Sequence, residues 1–166
     1  MLMDWPNWLG DLPTWLTTLA IAIAAFQYIG ERRRRLAEED RERKAQATEL
    51  TAWAVTDVER DPRVYGVVVS NTSGSTFHDI VIDVTMHGER VEHPIEMNVL
   101  PPGEYFVMLN PKGSPFAWDF AKHTSEYDGN LRPYTKSDRY RVLGYAFSDN
   151  RMQRWTVDER AVLNSL

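Results

Sequence analysis

The stretch VYGVVVSNTSGSTFHDIVIDVTM, residues 64–86, decides the fold of the larger part of this chain. Val64–Ser70 is an almost continuous apolar run, and Ile80–Met86 is a second run that is rich in β-branched residues. Asn, Ser and Gly fill the interval between them, which is typical of a turn. In the second run Asp83 falls on the opposite face from Ile82, because side chains alternate along a strand. The pattern therefore predicts two strands joined by a turn.

Similar short runs continue to the C-terminus and are separated by turn residues. Pro101–Gly103 forms one hard turn, and Ser148–Arg151 has the composition of a hairpin loop. No long amphipathic helix follows Trp53. Residues 54–166 are thus predicted to be mainly β and to fold as an antiparallel Ig-like β-sandwich. The further predicted strands are Thr51–Val58, Ile95–Val99, Tyr105–Leu109, Tyr140–Phe147 and Met152–Val157.

The segment 112–138 differs from the rest of this domain because it is long, polar and interrupted by Pro115, Gly129 and Pro133. A loop of this length in a compact domain is usually functional or mobile. The alternative, which we favour, is a short helix at Phe116–Lys122 that covers an open end of the sandwich.

A charged connector, residues 31–53, precedes the β domain and is predicted to be a helical stalk. Good helix formers dominate its first half. Acidic residues precede basic ones at a spacing of four, as in Glu31/Arg35, Glu39/Arg43 and Asp40/Lys44, which stabilises an isolated helix. Every residue from Glu38 to Lys44 is charged, so a coiled-coil seam is interrupted there.

The run Leu12–Gly30 holds no charged residue and is followed at once by Glu31 and four arginines. A helix of this length spans about 28 Å, close to the hydrocarbon core of a bilayer. Residues 1–30 are therefore predicted to contain a single transmembrane helix that continues into the stalk. A buried core helix and a cleaved signal peptide are the alternatives, and the absence of Lys and Arg before the run argues against the second. The predicted membrane-interface residues are Trp8, Trp15, Tyr28, Arg32, Arg33, Arg34 and Arg35.

The arginine run also predicts an orientation. Basic residues stay on the cytoplasmic side of a span, which places the N-terminus outside and the β domain in the cytoplasm. The chain has no cysteine, so no disulfide framework argues for either side. Thr14, Thr18 and Ala22 form a small-residue face through which spans could associate into a homo-oligomer.

No residue pattern in the chain indicates catalysis, a cofactor or a metal. The spacing of His87 and His93 matches no zinc motif, and His78 and His123 lie apart from them. There is neither a nucleophile elbow nor a glycine-rich phosphate loop. Residues 55–166 carry 12 Lys and Arg against 16 Asp and Glu, a net charge of −4. This balance argues against nucleic acid as a partner.

Several short motifs occur in an order that resembles a group of uncharacterised small actinobacterial and phage-borne membrane proteins. In that group an N-terminal span and a charged helix lead to a β domain. The last turn departs from the pattern, because Asn150-Arg151 stands where the group often has Gly. The resemblance implies a membrane-tethered cytosolic domain and supplies no catalytic residues. The motifs are Glu49–Trp53, Val67–Ser73, Phe77–Ile80, Leu100–Gly103 and Ala146–Trp155.

Three functions are compatible with this order of anchor, spacer and β domain. The leading one is a protein-interaction module, an adaptor or scaffold held at the lipid bilayer, with a protein partner of unknown identity. The second is a phage exclusion or defence-type membrane effector that acts through its transmembrane segment. The third is an extracellular sandwich that binds a ligand.

Overall fold

A computed structural model describes the backbone of residues 12–166 and the side chains from Leu16 onward. The chain divides into two compact units. One reaches to Lys44, and the other comprises Ala45–Leu166. Each unit is described by itself below.

A single helix, α1 (Leu12–Ala47), makes up the described part of the first unit and runs without interruption from the predicted span into the predicted connector. The predicted pairs at a spacing of four are present along its charged half. Arg35 lies 2.7 Å from Glu31, and Lys44 lies 3.2 Å from Asp40. The third pair, between Arg43 and Glu39, spans 3.5 Å. These pairs are solvent-exposed and contribute about 0.3–0.5 kcal/mol each.

The helix ends earlier than the stalk that the sequence predicted. The stalk was expected to reach Trp53, whereas α1 ends at Ala47 and Trp53 lies in the first strand. At the end of α1 the Thr48 hydroxyl donates to the Ala45 carbonyl at 2.6 Å. This bond satisfies one of the last helical carbonyls, which have no partner within the helix. The chain then continues into the β domain.

Within the part of the chain whose side chains are described, no helix combines the length and the apolar character that crossing a membrane requires. The transmembrane span therefore remains a prediction.

The second unit is built from two antiparallel sheets, so the mainly β prediction is confirmed, while the Ig-like assignment remains a prediction. The first sheet has the strand order β7-β6-β2-β1-β8, and the second has the order β11-β10-β9-β3-β4, with β5 also paired to β3. The strands are β1 (Leu50–Asp57), β2 (Val64–Asn71), β3 (Phe77–Met86), β4 (Glu89–Arg90), β5 (Ile95–Leu100), β6 (Gly103–Met108), β7 (Lys122–His123), β8 (Leu131–Pro133), β9 (Arg141–Ser148), β10 (Arg154–Val157) and β11 (Leu163–Ser165).

The main core lies between the facing sides of the two sheets. Phe77 and Phe147 are fully buried and meet edge to face, with ring centroids 4.9 Å apart. Val67 and Val107 of the other sheet belong to the same cluster. Trp155 is only 2% exposed and belongs to the same cluster.

A smaller cluster lies on the outer face of the first sheet and explains the long segment before β8. Tyr127 and Leu131 pack there on Val55, Val68 and Phe106, so this part of the segment covers the face of a sheet rather than an end of the sandwich.

The prediction of a short helix at Phe116–Lys122 is wrong. Trp118 instead forms a β-bridge with Leu109, and its indole N–H donates to the His93 carbonyl at 2.8 Å. A single 3-10 turn follows at Thr124–Glu126. The segment is extended, and its backbone bonds to the end of β6 and the residues after it, with the Asp119 amide donating to the Met108 carbonyl at 2.9 Å.

The two ends of the β domain are distinct. At the near end the chain arrives from α1, and Glu49 accepts a hydrogen bond from the Thr72 amide at 3.1 Å. Buried Asn71 fixes the adjoining turns there, because its side-chain amide donates to the Ser75 and Leu100 carbonyls. At the opposite end, called the far end below, β1 stops and β2 and β9 begin.

Candidate recognition surface

Three tyrosines stack at the far end of the β domain. The Tyr140 ring lies between Tyr65 and Tyr134, with centroids 5.5 Å and 4.1 Å away and interplanar angles of 5° and 7°. The three residues come from the start of β2, the residue after β8 and the residue before β9. All three are half-buried. The stack therefore closes the core at this end and also presents aromatic edges to solvent.

His87 holds the same stack from the side. Its ring meets Tyr65 and Tyr140 edge to face at 4.6 and 5.2 Å, and its Nδ1 is hydrogen-bonded to the Tyr140 hydroxyl at 3.0 Å. His87 and Gly88 have φ values of 58° and 90°, as a two-residue hairpin loop between β3 and β4 requires. Arg139 donates to the His87 carbonyl at 3.2 Å. The His87 side chain is thus exposed to solvent and is at the same time part of the stack.

The stack also alters the acidity of its central ring. Burial, followed by the neighbouring phenols of Tyr65 and Tyr134, raises the pKa of Tyr140. The hydroxyl thus stays protonated at physiological pH and can act as a hydrogen-bond donor.

A buried carboxylate organises the neighbouring loops. Asp57, at the end of β1, is fully buried and accepts hydrogen bonds from the Glu59 amide at 3.0 Å and from the Tyr127 hydroxyl at 2.9 Å. Arg60 lies 3.6 Å from the same carboxylate. Burial acts to raise the pKa of Asp57, but the hydrogen bonds, including one from the Asn130 amide, and the charge of Arg60 outweigh it and lower that pKa. Asp57 is therefore ionised and structural.

An open groove of about 360 Å³ lies beside Tyr127 on the outer face of the first sheet. Its floor is formed by Trp53, Val55 and Val68, and Leu131 and Glu104 stand at its rim. The groove has a mostly apolar floor with one carboxylate at the edge.

A second groove, of about 420 Å³, runs along the edge of β1. Residues Ala52–Ala54 form one side of it, and residues 134–138 with 140–142 form the other. Trp53 lines both grooves and forms the ridge between them. Trp53 is half-buried.

Two further aromatic side chains project from the segment between β6 and β7. Phe116 is 74% exposed and Phe120 is 88% exposed. The backbone that carries them is held, because Asn110 donates through its side chain to the Phe116 carbonyl at 3.1 Å and through its amide to the Ala117 carbonyl at 2.8 Å. Their exposure is thus fixed by the loop conformation.

The membrane-interface residues predicted from the sequence all belong to the other unit. Tyr28 is 68% exposed on α1, and Arg32–Arg35 are exposed on the next turn. Trp15 lies in α1, but its side chain is outside the described residues, and Trp8 lies outside them altogether.

The structure gives no indication of a reaction centre in the part of the chain it describes. No group of three or more His, Asp or Glu residues there is arranged to hold a metal ion. His78, His93 and His123 lie apart, on β3, before β5 and on β7. Sequence reasoning does not find the tyrosine stack or the two grooves, because Tyr65 is distant in the chain from Tyr134 and Tyr140 and the groove residues come from separate elements, so neither forms a local motif.

Comparison with family models, with curated proteins and with solved structures finds no match to this chain. Proposals about its function therefore rest on its own residues.

Proposed function

We propose that this chain is a membrane-tethered protein-interaction module, in which α1 is the anchor and the β domain is a cytosolic adaptor. One observation carries the proposal. From Leu16 onward, where side chains are described, apolar side chains on α1 are between 49% and 78% exposed at every turn of its uncharged part. These side chains are Leu16, Leu19, Ile21, Ile23, Phe26 and Ile29.

The distribution of these side chains around α1 favours lipid as their environment. Successive residues turn by about 100°, so Leu16, Ile21, Phe26 and Ile29 point in four different directions. An amphipathic surface helix would show one apolar stripe. A groove in a protein partner covers one side of a helix, whereas hydrocarbon covers all of them. The proposed anchor begins at Leu12, before the first described side chain.

The exposed arginines support an orientation. Arg32–Arg35 follow the apolar part directly, and only Arg35 among them is paired, with Glu31 at 2.7 Å, in the described residues. Basic side chains directly beside a membrane span attract anionic lipid headgroups, and each contributes about 1 kcal/mol to binding. The same bias retains them on the cytoplasmic side, so the β domain is proposed to lie in the cytoplasm.

The far end and the two grooves of the β domain support the adaptor role. Aromatic residues and arginine are enriched in protein interfaces. The stacked Tyr65, Tyr134 and Tyr140 lie beside Arg139, and Trp53 forms a half-buried ridge between two grooves. Loops at the end of a sheet sandwich are a common location of binding residues.

Membrane fractionation tests the anchor. The double variant Ile21→Asp/Ile23→Asp places two carboxylates near the middle of the span, at a cost of about 3 kcal/mol each. We expect the full chain to sediment with membranes and resist carbonate extraction, and the double variant to be released. Leu36→Asp is the matched control, because Leu36 is 57% exposed on the charged part of α1 and should leave fractionation unchanged. A wild-type chain that is recovered without detergent in the soluble fraction contradicts the proposal.

Protease protection of a C-terminal tag tests the orientation. In intact cells the tag should be protected, and replacing Arg32–Arg35 by glutamate should weaken or invert that protection. Digestion of the wild-type tag from outside would place the β domain on the extracellular side and favour a ligand-binding sandwich instead.

A further inference from the structure

The edge of β1 is only partly covered by its neighbour in the sheet. Strand β8 pairs with Val55–Asp57, and the next hydrogen bond on that side runs from the Tyr134 amide to the Ala54 carbonyl at 3.0 Å. Nearer the start of the strand, the Leu50 carbonyl accepts the Tyr145 hydroxyl at 2.8 Å. Residues 51–53 therefore form an uncovered part of the edge between two occupied positions.

Ala52 holds the free hydrogen-bonding groups of this opening. The register between β1 and β2 runs without a shift from Leu50 to Asp57. Backbone groups alternate along a strand, so Leu50, Ala52 and Ala54 all turn their N–H and C=O groups away from β2. Among the described residues, neither backbone group of Ala52 has a partner on that side. Ala52 is only half-buried and lines the groove of about 420 Å³.

The size of the opening limits what can enter it. Leu50 and Ala54 are four residue steps apart along the strand, which corresponds to about 13 Å. The Tyr145 hydroxyl stands at one end, and the chain after Tyr134 stands at the other. The edge strand of a folded domain is typically about 17–20 Å long, and the adjacent strands of its sheet would have to be accommodated with it. A single extended segment of about three residues fits where a second folded domain does not.

We propose that this opening binds an extended peptide segment of a partner protein by β-strand addition, with one residue of the segment exchanging two hydrogen bonds with Ala52. The inference rests on the proposed adaptor function and names its mode of recognition. In antiparallel pairing the residue opposite Ala52 shares its face, and the two flanking residues share the face of Trp53. The flanking residues are therefore apolar, because they lie along the half-buried indole.

The probe is a set of peptides selected from a random library displayed on phage. The selection target is the full chain in detergent micelles. The test variant is Ala52→Pro, which removes the outward N–H without removing a donor from the β1–β2 ladder. Ala52→Thr, which keeps the N–H and favours a strand, is the matched control. We expect the resynthesised peptides to bind Ala52→Pro at least about tenfold more weakly than wild type, as the loss of a hydrogen bond in a groove predicts, and to bind Ala52→Thr within about threefold.

Two further measurements keep the inference testable if Ala52→Pro does not fold. Hydrogen exchange of the wild-type Ala52 amide should slow when a selected peptide is bound. Methylation of single backbone nitrogens along the peptide should weaken binding at one position, that of the residue opposite Ala52, because the N–H groups of its two neighbours point away from β1.

Failure of the inference is distinguishable from failure of the proposed function. Selected peptides that bind Ala52→Pro as tightly as wild type, with no change at the Ala52 amide, would overturn strand addition but leave an interaction module that uses another surface. A selection that yields no binding peptide overturns strand addition as well and removes the support for the adaptor role, while the anchor is judged by fractionation alone.

Discussion

The hydroxyl of Tyr127 donates a hydrogen bond to the buried carboxylate of Asp57 across 2.9 Å, although 70 positions separate the two residues. This bond fastens the segment that covers the outer face of the first sheet to the end of β1. Gly129 completes the arrangement, because a Cβ atom there would collide with the same carboxylate. Asp57 thus stabilises the cover and the groove beside it.

The first prediction concerns the stability of the fold at acidic pH. The pKa of Asp57 is lowered in the folded chain, so its contribution to stability is present above the unfolded value of about 3.9 and is lost as the pH falls through the folded value. Asp57→Asn removes that contribution. Melting temperatures should therefore differ most at neutral pH, and the difference should begin to shrink only as the pH falls below about 4 toward the folded-state pKa.

The control for this prediction is Glu104→Gln, which removes a negative charge from an exposed position on β6. Its melting temperature should stay close to wild type throughout. A gap between Asp57→Asn and wild type that is as wide in acid as at neutral pH would show that the Asp57 carboxylate makes no charge-dependent contribution.

The second prediction concerns the stability of the fold at alkaline pH. Burial and the bond to Asp57 raise the pKa of Tyr127 to about 12. Its contribution to stability is complete below the unfolded value of about 10 and is lost as the pH rises toward 12. Tyr127→Phe should abolish this loss, so its melting temperature should fall less between pH 10 and 12 than that of wild type. Tyr28→Phe, an exposed ring on α1, is the control.

Trp53 shows where sequence reasoning about the fold succeeds and where it stops. No Gly or Pro occurs between Glu31 and Asp61, so local propensity gives no signal to end the helix before the first strand. The strand forms because Leu50–Asp57 pairs with β2 along its whole length, and this tertiary pairing overrides local preference. The run Val64–Ser70 carried its own signal of continuous β-branched residues, and it was placed within one residue of its observed end.

The short strands and the Asp57–Tyr127 bond were beyond sequence reasoning for the same physical reason. Strands β4, β7, β8 and β11 have two or three residues each, which is too few to show a periodicity. They exist because longer strands offer them hydrogen-bonding partners. A single aspartate after a run of strand formers likewise gives no sign of a tyrosine 70 positions away. The far-end stack is assembled in this way from the start of β2 and the two ends of the connection between β8 and β9.

The third prediction concerns the last hairpin. Trp155 is 2% exposed and donates through its indole N–H to the buried Asp149 carboxylate at 3.1 Å. Trp155→Ala should cost about 3–5 kcal/mol, as large aromatic truncations in cores do. The variant should melt far below wild type or fail to fold.

Trp155→Phe separates packing from hydrogen bonding at this position. It keeps most of the ring and leaves Asp149 with the amides of Arg151 and Gln153, both at 2.9 Å, so its loss should be clearly smaller than that of Trp155→Ala. A Trp155→Ala variant that melts like wild type would show that this side chain does not contribute to the core.

The fourth prediction concerns Phe116 and Phe120, whose rings are 74% and 88% exposed on a loop that is held by Asn110. Exposed side chains outside the core contribute little to folding, so Phe116→Ser/Phe120→Ser should change the free energy of unfolding by no more than about 0.5 kcal/mol per site. Binding of an apolar dye to the folded chain in detergent micelles should fall, because two exposed rings are removed.

Asn110→Ala is the matched comparison for the double serine variant. It keeps both rings but removes a side-chain hydrogen bond to the loop, so it should lower the melting temperature while dye binding is retained. If the double serine variant melts well below wild type instead, the two rings pack in solution, and the loop conformation that exposes them is not the one the chain adopts.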